Sequence, residues 1–243
     1  MSLKKKFVVF LPWKTASQTI ALRLKTYNES PYPRFFYFNR YLNRVVHQHI
    51  TCADFECLPE SRLKYFRASF VRNPYDRVYS GFIQLQKDVQ YQPKAAFVQP
   101  WIRRLVAKQL SENFSQLALA GFEFNAWFDL VSEEQVFEIG RNTNFPLHPA
   151  HYWTHYGDNQ VVDFIGRVET FETDFQEFLN RVGIEEPVPA VNMNITETVP
   201  DNSNKGAPDG YKYVNRMNTA SVDKINRLFD RDFKLFGYDK LCL

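Results

Sequence analysis

The chain has 243 residues, enough for one large α/β domain or two small ones and long enough to hold a core without a disulfide or metal staple. Hydrophobic residues at 44% and charged residues at 23% exclude a disordered or fibrous chain. Thirty Lys and Arg against 27 Asp and Glu leave a net charge of +3, too small for nonspecific nucleic-acid binding, so any anion site must be local.

The first apolar run is Phe7-Val8-Val9-Phe10-Leu11, set between Lys4-Lys5-Lys6 and Pro12. It is shorter than a signal-peptide core of about 7–15 residues or a membrane helix of about 20. It therefore reads as a buried strand of a parallel sheet, and the chain as cytoplasmic with no transmembrane segment. A helix is predicted from near Ser17, with Ile20 and Leu24 four apart. Residues 28–43 hold Pro and many aromatics and read as irregular; 45–50 reads as a short strand. Ala68-Ser69-Phe70-Val71 is a second strand, followed by Asn73 as N-cap, Pro74 at the first helical position and a helix to about Lys87.

Residues 97–140 are helical in pattern, with breaks near Pro100, Ser111 and Gly121, and a loop with Pro146 and Pro149 follows. Residues 161–166 give a third strand, 171–182 a helix closed by Gly183, and 187–210 a long loop rich in Pro, Asn and Gly. The last helix is predicted over 221–236, stopped by Gly237. Strands alternating with helices, without a repeat or a linker, argue for a single α/β domain over 1–243 with a central parallel sheet flanked by helices. Cys52, Cys57 and Cys242 make no disulfide framework and read as reduced thiols.

Three constellations carry chemistry. Pro12-Trp13-Lys14-Thr15-Ala16-Ser17-Gln18-Thr19 lies between the first strand and the first helix. Such a turn gathers backbone N–H groups and the positive helix end; Lys14 adds a charge, and Thr15, Ser17 and Thr19 add hydroxyls. The stretch reads as an anion cradle or as an ordinary strand-to-helix turn. No Gly-x-x-x-x-Gly-Lys-Ser/Thr occurs, which disfavours ordinary ATP or GTP hydrolysis.

The second constellation puts Arg72 at a strand end and Ser80 two turns into the next helix. Ligands of open α/β sheets bind beyond the carboxyl ends of the strands, where a guanidinium can clamp a phosphate; the competing reading is an Arg72–Asp76 ion pair. The third is His47-Gln48-His49. A histidine pair on a short strand is either structural or a general base with its helper.

Taken together, the first two stretches resemble the paired donor motifs of the sulfotransferases, which use 3′-phosphoadenosine 5′-phosphosulfate. The Lys-Thr-Ala-Ser core of Lys14 to Ser17 resembles their 5′-phosphosulfate loop. Arg72, with Ser80 eight residues on, resembles their 3′-phosphate motif. Residues 163–175 and 232–238 also resemble segments of the carbohydrate branch, which includes the heparan sulfate 2-O-sulfotransferases. Two residues depart from the family pattern: Trp13 stands where Pro usually precedes Lys, and Gln18 replaces a usual Thr or Ser.

The resemblance implies a fold like that of P-loop nucleotide kinases. It implies donor contacts at Lys14, Thr15, Ala16, Ser17, Gln18, Thr19, Arg72, Ser80 and, through Lys205-Gly206, Lys205. It implies catalysis by Lys14 and by His49 as base with His47 as helper, on an acceptor hydroxyl of a glycan or glycolipid. Adenosine 3′,5′-bisphosphate would be the product, with no metal and no nucleic acid involved. The alternatives are a kinase-like nucleotide phosphotransferase and a non-catalytic nucleotide-binding protein of the same fold. His148, His151 and His155 invite a zinc or acceptor reading, but Tyr152 stands where a zincin needs Glu. Arg167 and Glu169 read as an internal ion pair.

Overall fold

The opening apolar run forms strand β1 (Phe7–Phe10) in the computed structural model, which describes residues 1–33, 35–88, 99–189 and 211–242. The elements that follow are α1 (Ser17–Arg23), β2 (Tyr37–Asn39), β3 (Arg44–Val46), α2 (Cys52–Glu56), β4 (Phe66–Val71) and α3 (Pro74–Asp88). Then come α4 (Pro100–Leu119), α5 (Phe124–Leu130), α6 (Glu133–Phe137), β5 (His155–Tyr156), β6 (Asn159–Gln160), β7 (Phe164–Arg167), α7 (Phe171–Arg181), α8 (Thr219–Leu228) and α9 (Asp230–Phe236). The chain divides into two compact units. One gathers Met1–Phe35, Asn39–Arg72 and Ala150–Ile195; the other gathers Phe36–Phe38, Asn73–Pro149 and Thr196–Leu243. Among the described residues no helix is long and apolar enough to cross a membrane.

The first unit is built on a parallel sheet in the order β1-β4-β7. β1 alternates as a strand buried on both faces must. Phe7 and Val9 pack into a cluster with Ile20, Phe70, Phe164, Phe175 and Phe178, while Val8 and Phe10 pack into another with Cys52, Phe55, Trp153 and Val162. β4 is central and its Ala68, Ser69, Phe70 and Val71 are wholly buried. Its Phe70 ring lies where a Cβ on Gly166 of β7 would stand, so only glycine lets these two strands pair in this register. Each fully buried Phe contributes about 1.5–3 kcal/mol. α7 covers the Phe7 side of the sheet and ends as its sequence predicts. Gly183 takes φ 65°, and the N–H of Ile184 bonds the Leu179 carbonyl at 2.9 Å.

The second unit is helical. α3 starts where Asn73 Oδ1 accepts the Asp76 N–H at 2.8 Å, as the Asn-Pro pair predicts. Its Tyr75, Val78, Phe82 and Leu85 join a core with Trp127, Phe128, Leu147, Ile225, Phe229 and Phe233. Gly81 brings Pro146 and Leu147 against the helix, because a Cβ there would lie 2.6 Å from Leu147 Cδ2. Arg77 and Asp232 form an ion pair at 3.4 Å with 0% and 1% of their side chains exposed, and Arg77 also donates to the His148 carbonyl at 2.7 Å.

Three expectations change. α4 runs unbroken through Ser111, a helix-compatible residue in a 20-residue apolar-faced segment, and stops only before Gly121 at φ 59°. The predicted last helix is two helices. Phe229 breaks it at φ −109°, which buries that ring to 1% exposure in the same unit in which Asp232 meets Arg77. The strand predicted over 45–50 ends at Val46, since His49 spends its carbonyl and its ring on tertiary partners instead of a ladder. All three cysteines stand as free thiols, with Cys52 buried.

Candidate functional site

The three strands of the β1-β4-β7 sheet are parallel, so their carboxyl ends share one edge of that sheet. Three cationic residues stand at that edge: Lys14 in the loop after β1, Arg72 directly after β4, and Arg167 at the end of β7. Val71 pairs with Arg167, and the Val71 carbonyl accepts the Val168 N–H at 2.9 Å, so the sheet pins the points from which Arg72 and Arg167 leave it. Arg72 and Lys14 are half-buried. The Arg167 N–H donates to Asp174 Oδ2 at 2.6 Å, tying that strand end to the start of α7.

The loop after β1 is unusual in its backbone. Lys14 and Ala16 both sit in the left-handed region, at φ 64° and φ 59°, although neither is glycine. Such a residue costs roughly 1–2 kcal/mol, and strain of this kind persists only where the surroundings impose it. The Thr15 hydroxyl imposes part of it. It donates to the Pro12 carbonyl at 3.0 Å and is fully buried, so Thr15 closes the loop on itself and does not offer its hydroxyl outward. Ala16 is the N-cap of α1, and no side chain caps the first turn. Left-handed residues alternating along a loop at a strand-to-helix turn concentrate backbone N–H groups on one side, which is the build of an anion cradle. Gln18 is half-buried, while Ser17 and Thr19 are buried. The residues present fit a phosphosulfate in this one respect, the strained cradle with its lysine.

His47 and His49 lie in the same unit, outside any strand, with their rings nearly parallel: centroids 5.1 Å apart, planes 14° apart. His49 Nδ1 meets the Leu11 carbonyl at 2.5 Å. A carbonyl only accepts, so Nδ1 carries the proton, and in the neutral ring the basic lone pair is left on Nε2. The Gln48 side-chain amide stands 3.4 Å from Nε2, a position from which its N–H₂ faces an acceptor. The Trp153 indole N–H donates to the His49 carbonyl at 3.2 Å. His49 thus presents a tautomer-fixed imidazole tied to the residue that ends the β1 run, three positions before Lys14, an arrangement the i, i+2 spacing alone did not reveal.

In the second unit Ser80 is buried in α3. The Asp76 carboxylate accepts the N–H groups of Lys212 at 2.9 Å and of Tyr213 at 3.0 Å, anchoring the chain that follows residue 210. Lys205 lies outside the described residues. His148 is buried in this unit with Nδ1 donating to the Val136 carbonyl at 2.8 Å. In the first unit, His151 is buried against Tyr152 and His155 Nδ1 lies 2.8 Å from Thr154 Oγ1. Among the described residues no group of three or more His, Cys, Asp and Glu is gathered to hold a metal ion.

Sequence reasoning missed Trp13 as part of the site. Its ring stacks on both His49 and His47, and the only signal was its departure from the pattern of the loop.

A family model described as the sulfotransferase family matches residues 5–239, through both units. A curated relative, carbohydrate sulfotransferase 10 of Xenopus laevis, is 24% identical, with 80% of this chain and 55% of the relative covered. The chain therefore spans about half the length of that relative. No solved structure matches it.

Proposed function

The chain belongs to the sulfotransferase family, and from that premise we propose that it transfers a sulfuryl group from 3′-phosphoadenosine 5′-phosphosulfate to a carbohydrate hydroxyl. The observation that carries this reading is the β1 loop, with Lys14 and Ala16 left-handed, no side-chain cap on α1, and a tautomer-fixed His49 beside it. The donor supplies the sulfuryl group: its S–O bond to the 5′-phosphate breaks as the acceptor oxygen forms a new S–O bond. Lys14 and the loop amides offset the charge that gathers on the departing phosphate; such preorganised charge is worth about 3–4 kcal/mol per donor. His49 Nε2 takes the acceptor's proton, and the Leu11 carbonyl, holding Nδ1–H, favours the imidazolium that results. Arg72 is assigned to the 3′-phosphate on its strand-end position and Ser80 on its eight-residue spacing from it; Lys205 is assigned on its Lys-Gly pair alone. The family match runs through both units, which supports their acting as one domain. A glycan acceptor rests on the carbohydrate sulfotransferase relative.

A screen with radiolabelled sulfate donor over glycans, glycolipids and small alcohols tests the reading. Label transferred by the wild type and not by Lys14→Ala supports it. No transfer to any acceptor by a folded protein that binds adenosine 3′,5′-bisphosphate would leave nucleotide binding without catalysis and sink the enzymatic assignment.

A further inference from the structure

We infer that Trp13 is a positioning residue for the His49 base, holding its imidazole plane so that Nε2 stays aimed and Nδ1 stays bonded. The inference rests on the reading of His49 as the base.

The Trp13 and His49 rings lie 3.9 Å apart between centroids with planes 29° apart, the tightest ring pair of the group. His47 completes the stack at 5.3 Å and 18° from Trp13, and Phe35 meets His47 at 5.3 Å and 59°. Trp13 is itself half-buried against the cluster that holds Val8, Phe10, Phe55 and Trp153, so its ring has a fixed backing.

A base needs its lone pair held within about 0.5 Å and 10–20° of the productive direction. The Trp153 bond fixes the His49 backbone, and the Leu11 bond fixes one ring atom. Neither of these, nor the Gln48 amide 3.4 Å from Nε2 at the ring edge, prevents the ring face from rocking. A flat surface laid on the ring face does, and Trp13 supplies it.

Position in the chain adds a second consequence. Leu11, Pro12, Trp13 and Lys14 are consecutive: Leu11 holds the ring edge, Trp13 holds the ring face, and Lys14 turns left-handed at φ 64° immediately afterwards. One four-residue segment therefore sets both the base and the loop that carries the cation.

The test begins with ring ¹⁵N spectra of histidine-labelled protein at alkaline pH, where the neutral tautomers are distinguished, with the His49 signal assigned by its loss in His49→Gln. The wild type and Trp13→Phe are expected to show His49 as a single Nδ1–H tautomer. Trp13→Ala and Trp13→Leu, the second of which keeps apolar packing without a flat face, are expected to show a mixture. On the best acceptor of the screen, kcat should fall about 10- to 100-fold in both, with donor KM within about twofold of the wild type, and recover to within about threefold in Trp13→Phe. An unmixed Nδ1–H signal in Trp13→Ala or Trp13→Leu overturns the inference whatever the rates do. Loss of kcat in Trp13→Phe equal to that in Trp13→Leu also overturns it. A wild type that shows the fixed tautomer but transfers no sulfuryl group overturns the parent reading and this one with it, an outcome told apart from the others by the unchanged spectrum.

Discussion

Neutralising Asp232 should destabilise the protein more than any single surface change. Arg77 and Asp232 are 0% and 1% exposed, so Asp232→Asn keeps the shape and leaves a buried guanidinium without its counter-charge. Breaking a buried pair in this way costs about 3–5 kcal/mol. The 3.4 Å separation exceeds the ~2.8 Å of a strong charge-assisted bond, and Arg77 keeps the His148 carbonyl at 2.7 Å and the Phe229 ring at 5.1 Å. The low end, about 3 kcal/mol, is therefore expected. At about 2–4 °C per kcal/mol for a chain of this size, Tm should fall by about 6–12 °C in a calorimetric or fluorescence melt. Removing both charges with apolar residues, Arg77→Met with Asp232→Leu, should recover most of the loss, because no uncompensated ion then remains buried. A Tm drop under about 2 °C for Asp232→Asn, or a double variant no better than the single, would refute this reasoning.

Arg72→Ala should weaken adenosine 3′,5′-bisphosphate about 30- to 1000-fold in calorimetric titration while adenosine 5′-phosphate binding changes little; equal losses would remove Arg72 from the 3′-phosphate. Lys14→Ala should lower kcat about 100-fold or more with product affinity changed far less, and near-normal turnover would take Lys14 out of the mechanism. The Arg23 fork, donating to both Glu172 oxygens at 2.7 and 2.6 Å, holds that carboxyl below its usual 4.5 against the opposing effect of burial. A depressed folded pKa gives stability that is present above the unfolded value and is lost as pH falls through the folded one. Because the Glu172 side chain is 65% exposed, solvent screening cuts the gain to about 0.5 kcal/mol, so Glu172→Gln should melt about 1–2 °C below the wild type at pH 7, with the gap closing as pH drops below 4.5. A gap that stays constant to pH 3 would contradict it.

What the sequence carried was local. The runs at Phe7 and Ala68 named two of the three parallel strands, and the third began three residues later than its apolar pattern. Asn73-Pro74 and Gly183 marked helix ends, because caps and left-handed stops depend on neighbours in the chain. What the sequence did not carry was tertiary. The Arg77–Asp232 pair joins residues 155 apart, and the need to bury Phe229 broke a helix whose periodicity read as continuous. At the site, Lys14 and His49 stood out by residue type. The αL geometry of Lys14 and Ala16 had no glycine to announce it, and the Trp13 stack joins rings that sequence places more than thirty residues apart.

The most direct measurement is a calorimetric titration of the wild-type chain with adenosine 3′,5′-bisphosphate, compared with ATP and Mg²⁺ under the same conditions. A sulfotransferase whose cradle and strand-end arginine read both phosphates should bind the bisphosphate at least about tenfold more tightly, a difference of roughly 1.4 kcal/mol. ATP binding as tight as or tighter than the bisphosphate would contradict the account and turn it towards phosphoryl chemistry.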